Sequence, residues 1–241
     1  MKEPLLKIIE KLNPDSVIDD IRICERATYA TGERLGMAYN FRSGQARDRM
    51  TSDHFFPKLP SKAKEIAKLA VSKDIATASI GVAAINATID IPENIKSING
   101  KDIIFKRCAG RRVAMIGHFR FTDQLRKIAG HLDVLELRQS EGDLPASAAP
   151  EVLPKAEIVI ITGTTLVNHT FGEIAELSQN SFSIILGPTS IMSPVFFDYG
   201  IDVVCGTRVR EPSKVIDFLT RGGSFRDLKD GVEQLAIFQA S

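Results

Sequence analysis

Three things are scarce in this chain of 241 residues: cysteine, net charge and long apolar runs. Cys24, Cys108 and Cys205 stand far apart and form no CxxC pair, which excludes a zinc knuckle and a thioredoxin-type redox motif. Scattered, odd-numbered thiols suit a reducing cytoplasm. The 31 Lys and Arg nearly cancel the 30 Asp and Glu, so a formal charge of +1 gives no general attraction to nucleic acid or anionic membranes. No apolar run reaches the roughly 18 residues needed to span a bilayer. The opening MKEPLLKIIEKL alternates charge with apolar residues and lacks the uninterrupted core of a signal peptide. A soluble cytoplasmic protein, without nucleic-acid or membrane partners, is the expectation.

Chemical motifs are scarce as well. No HxH, HExxH or carboxylate-rich spacing announces a metal centre. The loop GHFRFTD lacks the GxGxxG of dinucleotide binders, which argues against an ordinary NAD or FAD enzyme. The basic residues Lys106, Arg107, Arg111 and Arg112 have no interleaved aromatics and read as a solvated face.

What is present is a change of pattern midway. Leu5, Ile8, Ile9 and Leu12 have the spacing of a helix with one buried face. Ile21 and Ile23, then Leu35, Met37, Tyr39 and Phe41, alternate around Thr31-Gly32 and predict a hairpin. Residues 43–59 read as irregular. Helices are expected over Ala63–Val71 and from a cap at Asp74 to about Ala87. Pro92–Gly110 is the expected boundary, with a short strand at Ile103-Ile104-Phe105. This gives a small α+β domain at 1–98 and an α/β domain at 99–241.

In the second half short β-branched runs alternate with helical stretches. Strands are expected at Arg112–Gly117, Asp133–Leu137, Glu157–Thr162, Ser183–Leu186 and Asp202–Cys205. Helices fall at Thr122–Ala129, Thr170–Leu177, Ser213–Leu219 and Asp227–Ile237. Alternation of this kind makes a Rossmann-like parallel sheet with crossover helices.

Ligands of such sheets sit beyond the carboxyl ends of the strands. Those ends carry Gly117-His118, Glu136, Thr162 with Thr164 and Thr165, and Gly187-Pro188-Thr189-Ser190. Singly, each is ordinary cap or turn material. Together on one edge they make a candidate site, because glycine admits close backbone approach and hydroxyls hold anionic oxygens. Glu136, 19 residues beyond Gly117, occupies the place of a ribose-binding acid, although pairing with a neighbouring Arg explains it equally. His118 is the titratable group best placed for proton transfer. Asn168 either caps the helix after its strand or touches ligand, and His54 and His131 have no evident partners. Asn86 is an amide on an otherwise apolar helix and needs partners.

Four segments taken in order, SIGVAAINA (79–87), VAMIGHF (113–119), IVIITGTTLVNHT (158–170) and ILGPTSIMSPVFFDYGIDVVCG (185–206), resemble the putative heavy-metal chelation family of prokaryotes. The resemblance implies an enolase N-terminal-like domain joined to a Rossmann-like domain, with the site in the cleft between them. The enolase catalytic barrel is missing, so enolase chemistry is not implied. Asn86 falls in the first motif and is expected to project into the cleft. Gly117, Thr162, Thr164, Thr165, Asn168, Gly187 and Pro188 fall in the others. The leading expectation is a protein that binds a small anionic or metal-chelating molecule and takes part in handling or making a chelator. Two alternatives stay open: a transferase-like enzyme using S-adenosylmethionine or another nucleoside, and a non-catalytic protein holding a divalent heavy metal. Self-association into a homo-oligomer is compatible with all three.

Overall fold

The computed structural model describes residues 2–41 and 58–239, so the segment expected to be irregular lies almost wholly outside the described residues, as does His54. In the first half, α1 (Glu3–Lys11) buries Leu5, Ile8 and Ile9, the predicted stripe. A two-residue strand β1 (Val17–Ile18) leads to β2 (Asp20–Ile23), β3 (Ala27–Thr31) and β4 (Leu35–Tyr39), which form an antiparallel sheet in the order β2-β3-β4. β5 (Ser61–Lys62) pairs with β1, and α2 (Ala63–Ala67) tightens into a 3-10 turn at Lys68–Val71. α3 (Ile75–Thr88) starts where Asp74 accepts the Thr77 N–H at 2.9 Å.

The predicted hairpin is real but its partners differ. β4 pairs with β3, and the Ile21–Cys24 run forms the outer strand on the far side of β3. The missing middle strand is buried on both faces and therefore shows no alternation of apolar with polar residues. Ala30 and Ala38 face the core that contains α3, whereas Ala27, Tyr29, Leu35 and Met37 face a second cluster with Val215 and Leu219. α3 itself is apolar nearly all round and lies pressed between neighbours. A Cβ on Gly36 would stand 2.2 Å from Ala83 O, and one on Gly81 would stand 1.9 Å from Ala70 N.

The second half runs β6 (Lys96–Ser97), α4 (Gly100–Cys108), β7 (Arg112–Ile116), α5 (Thr122–Arg126), β8 (His131–Glu136) and β9 (Leu144–Pro145). It continues through α6 (Ala149–Val152), β10 (Ile158–Thr162), α7 (Phe171–Leu177), β11 (Phe182–Leu186), β12 (Val203–Val209), α8 (Pro212–Thr220) and β13 (Val232–Phe238). These strands make one eight-stranded sheet, β6-β13-β12-β11-β10-β7-β8-β9. β7 to β12 are parallel, and counted from β7 their spatial order is 3-2-1-4-5-6, the Rossmann arrangement. The chain switches direction across the sheet between β7 and β10.

Two expected elements are of the other type. Ile103-Ile104-Phe105 belongs to α4, which opens with the Asn99 side chain accepting the Lys101 N–H at 2.9 Å and buries Ile104 and Cys108 one turn apart. Residues 227–237 do not form a helix. Gly231, at φ +74°, follows Asp230 and turns the chain so that β13 runs antiparallel along the whole of β12. Glu233 then reaches Arg208 and Arg210 at 2.7 Å, so its carboxyl is held below the usual range, first by the Arg208 hydrogen bond.

The two halves share a core: Ile8 and Ile85 lie in one apolar cluster with Leu166, Phe171 and Phe196. Among the described residues no helix is long and apolar enough to cross a membrane.

Candidate functional site

At the switch point the carboxyl ends of β7 and β10 diverge, and a cleft of about 1480 Å³ opens above the sheet. Two glycines shape its floor. Gly117 has φ +92° and Gly187 φ +124°, conformations that other residues rarely adopt. Gly117, His118 and Glu136 line the cleft on one side, Thr162, Thr164, Thr165 and Asn168 in the middle, and Gly187, Pro188 and Thr189 on the other. Asn86 and Ser190 are not brought to this cleft. They line a separate cavity of about 20 Å³ between the two halves of the molecule.

The hydroxyls at the strand ends differ in how they are engaged. Thr164 Oγ1 bonds Thr162 Oγ1 at 3.1 Å, and Thr165 Oγ1 donates to Thr162 O at 2.8 Å, which folds the chain after β10 into a tight 3-10 turn. Thr189 Oγ1 instead accepts the Tyr39 N–H from β4 at 2.9 Å. Asn86 Nδ2 donates to Met37 O at 2.9 Å and to Thr189 O at 3.5 Å. The amide expected in the cleft thus ties the halves together. Asn168 Oδ1 accepts from Thr170 N at 3.2 Å and from Thr170 Oγ1 at 2.8 Å, closing the turn that leads into α7 at the cleft wall. His169 sits at φ 62° and its Nε2 bonds Ser72 O at 2.6 Å, another link between halves. Burial lowers its pKa from the usual imidazole value.

Among the described residues Glu136 pairs with no arginine. Its Oε1 accepts the His118 N–H at 2.8 Å and its Oε2 the Leu137 N–H at 3.1 Å. The carboxylate therefore braces the β7 loop from the end of β8. His118 lies over that brace, and its carbonyl accepts from Arg226 Nη2 at 3.0 Å. Its Nδ1 faces Asp143 Oδ2 at 3.5 Å. Asp143, from the loop between β8 and β9, and Arg226, from the connection between α8 and β13, were not legible in the sequence. Neither belongs to a motif, and both reach the site through tertiary packing.

Around these groups the cleft wall is basic. Arg26, Lys101, Arg120, Arg138, Arg226 and Lys229 line it, against the carboxylates of Glu136 and Glu173; Asp227 pairs with Arg120 at 2.6 Å and Glu25 lies 3.9 Å from Arg26, so the excess positive charge rests on the other four. A concave wall with this imbalance concentrates anions. Apolar surface interrupts the charge: Phe119 stacks on Phe121 with ring centroids 5.4 Å apart, and Phe225 and Tyr39 also line the cleft. Arg120 between the two Phe residues is the one signal in the sequence that pointed to such a wall.

The donors do not fit a bare heavy-metal ion. Among the described residues no three His, Cys, Asp or Glu side chains are grouped to hold one. Burial pushes the thiols of Cys108 and Cys205 up to about 12 within an apolar cluster, so neither is available as a thiolate. His118 supplies one imidazole, with hydroxyls, glycine backbone and cations around it. That set suits an anion that brings its own metal donors.

The fold defines a two-part protein with a Rossmann-like sheet and a cleft at its switch point. Residues 99–237 match the family model DUF364 and residues 6–89 match DUF4213, both described as "Putative heavy-metal chelation". The chain belongs to this family. An uncharacterised protein of Methanocaldococcus jannaschii is 28% identical over 166 residues, 65% of this chain and 64% of that protein, so the match spans less than two thirds of the relative. Two crystal structures of DUF364 proteins with unknown function share the fold. The one from Desulfitobacterium hafniense has a TM-score of 0.87 at 23% identity, and the one from Pyrococcus horikoshii has 0.81 at 21%; each match covers 99% of both chains.

Proposed function

We propose that the protein binds a small organic anion that chelates a metal, in the cleft beyond β7 and β10, and that it serves the handling or synthesis of such a chelator in the cytoplasm. One observation carries this reading: six cationic side chains and one imidazole line a cleft whose described residues offer no cage for a bare ion. The family description supports a metal in the ligand, and the charge of the wall supports an anionic carrier. The cleft is open enough for a drug-sized molecule, and the rings of Phe119 and Phe225 suit a flat or apolar portion of it. Native mass spectrometry of protein purified without an affinity tag tests this. An adduct that releases an anionic organic molecule supports the reading. A metal that stays bound after every organic component has left contradicts it.

A second reading rests on a different observation. The 3-2-1-4-5-6 strand order, with Glu136 at the end of the second strand, supports comparison with the acid of nucleoside-binding Rossmann proteins. S-adenosylmethionine or a related nucleoside would then bind saturably in calorimetry, and Glu136→Gln would weaken it. Absence of binding to the wild type removes this reading.

A further inference from the structure

We infer that Asp143 is a positioning residue for His118, fixing the imidazole as the Nδ1–H tautomer so that Nε2 presents its lone pair to the cleft as the protein's donor to a chelated metal. The metal part of this inference rests on the proposed function, and the tautomer part does not.

The three described histidines divide cleanly. His131 Nε2 bonds Asp133 Oδ1 at 2.9 Å, and His169 Nε2 bonds Ser72 O at 2.6 Å. Both acceptors hold the proton on Nε2. In His118 the carboxylate lies on the opposite side of the ring, with Asp143 Oδ2 3.5 Å from Nδ1. Nδ1 is buried and makes no hydrogen bond among the described residues, so the Asp143 carboxylate acts on it by charge across 3.5 Å, while the side chain as a whole keeps 28% exposure on the cleft. A neutral imidazole carries one proton, and a carboxylate beside Nδ1 draws it there. Nε2 is then the nitrogen left with a free lone pair. Histidines that ligate metals ordinarily have a carboxylate or carbonyl on the other nitrogen, which sets the tautomer and raises the basicity of the donor.

Asp143 has the burial of a group kept for a purpose. Its side chain is 1% exposed; Oδ2 accepts the Ser140 N–H at 2.9 Å, and Oδ1 is buried with no hydrogen-bond partner among the described residues. A buried carboxylate with an unpaired oxygen is destabilising, and closing the Ser140 turn uses only Oδ2, which leaves Oδ1 unexplained by the turn. The turn that delivers it contains Gly142 at φ +83°. The braces on the ring's own backbone, Glu136 on the N–H and Arg226 on the carbonyl, hold His118 against this carboxylate.

The coordination step balances simply. An anionic metal chelate with water in its remaining positions enters the basic cleft; the Nε2–metal bond forms and one metal–water bond breaks. No proton or electron moves. Nickel–nitrilotriacetate, a borderline ion on an anionic carrier, is the probe.

Two measurements test the inference. Nitrogen-15 NMR of the imidazoles at alkaline pH reads tautomers directly in the wild type. The expected spectrum has His118 protonated on Nδ1, opposite to His131 and His169. A His118 protonated on Nε2 overturns the inference. Calorimetry with nickel–nitrilotriacetate, with His131→Gln as control, reads the donor. Asp143→Asn is expected to weaken binding roughly 10–100-fold and to mix the tautomers, and Asp143→Glu to restore part of both. Unchanged affinity in a folded Asp143→Asn protein overturns the positioning role. If the wild-type tautomer is as expected but the wild type binds no chelate, the chelate reading fails and the Asp143–His118 pairing stands.

Discussion

The carboxyl edge of the parallel sheet has two sides that look alike in sequence and differ in employment. After β11, Thr189 Oγ1 accepts the Tyr39 N–H and its carbonyl accepts from Asn86 Nδ2, so this loop is bonded to the first half of the molecule. After β7 and β10, Gly117, His118 and the Thr162–Thr165 turn face an open cleft. The hydroxyls there bond one another, and the imidazole keeps an exposed edge. What separates them is the neighbour: β4 and α3 lie against the β11 loop, while basic side chains ring the space above β7. Small and hydroxyl residues at a strand end mark a place where something approaches closely. On one side that something is the first half of the molecule, and on the other the proposed function makes it a ligand.

This difference breaks into measurable parts. The largest effect belongs to His118→Ala, expected to lower affinity for an anionic metal chelate at least about 100-fold, beyond the loss from its carboxylate partner, with an unchanged Tm. A matching fall in Tm would assign His118 to the structural side. Thr189→Val leaves the Tyr39 N–H unpaired, and Asn86→Ala leaves the Met37 and Thr189 carbonyls unpaired. Each is expected to lower stability by about 1–3 kcal/mol in denaturant unfolding; Asn86→Ala, away from the cleft, changes the affinity little, whereas Thr189→Val, on the cleft wall, also weakens binding. Gly163 joins the two sides, since a Cβ there would stand 2.5 Å from Ser190 N. Gly163→Ala should therefore reduce stability by about 1–3 kcal/mol and weaken binding together.

The smallest effect is a pH dependence at His169. Burial depresses its folded pKa, so the neutral form is favoured in the native state. The unfolded chain then binds more protons below the ordinary imidazole value near 6.5, and stability falls as pH falls through the lower native value. Above that window the contribution is fully present. His169→Asn, which tolerates the positive φ, should flatten this part of a stability–pH curve; an unchanged slope would show that the Ser72 contact does not depend on the neutral imidazole.

Much of this was legible beforehand. The β7, β10 and β11 runs are apolar enough to name the parallel sheet, and their ends carry the residues that line the cleft. β3 was hidden because both of its faces are buried, and alternation is the only periodic signal a strand gives. β13 was misread because Val232, Leu235 and Ala236 sit at helical intervals, while the Asp230-Gly231 turn that decides its path is only two residues long. Asn86 was singled out for a sound reason, the need of an amide for partners, but those partners are backbone carbonyls of both halves. Asp143 and Arg226 were invisible because their roles come from loops that meet His118 only after folding.

Calorimetric titration of the untagged wild-type protein, first with nickel–nitrilotriacetate, then with nickel ion alone and nitrilotriacetate alone, asks directly whether the cleft takes a chelate. Saturable one-to-one binding is expected for the chelate, weakened by added salt and much tighter than for the bare ion. Tighter binding of the bare ion, insensitive to His118→Ala, would contradict the account.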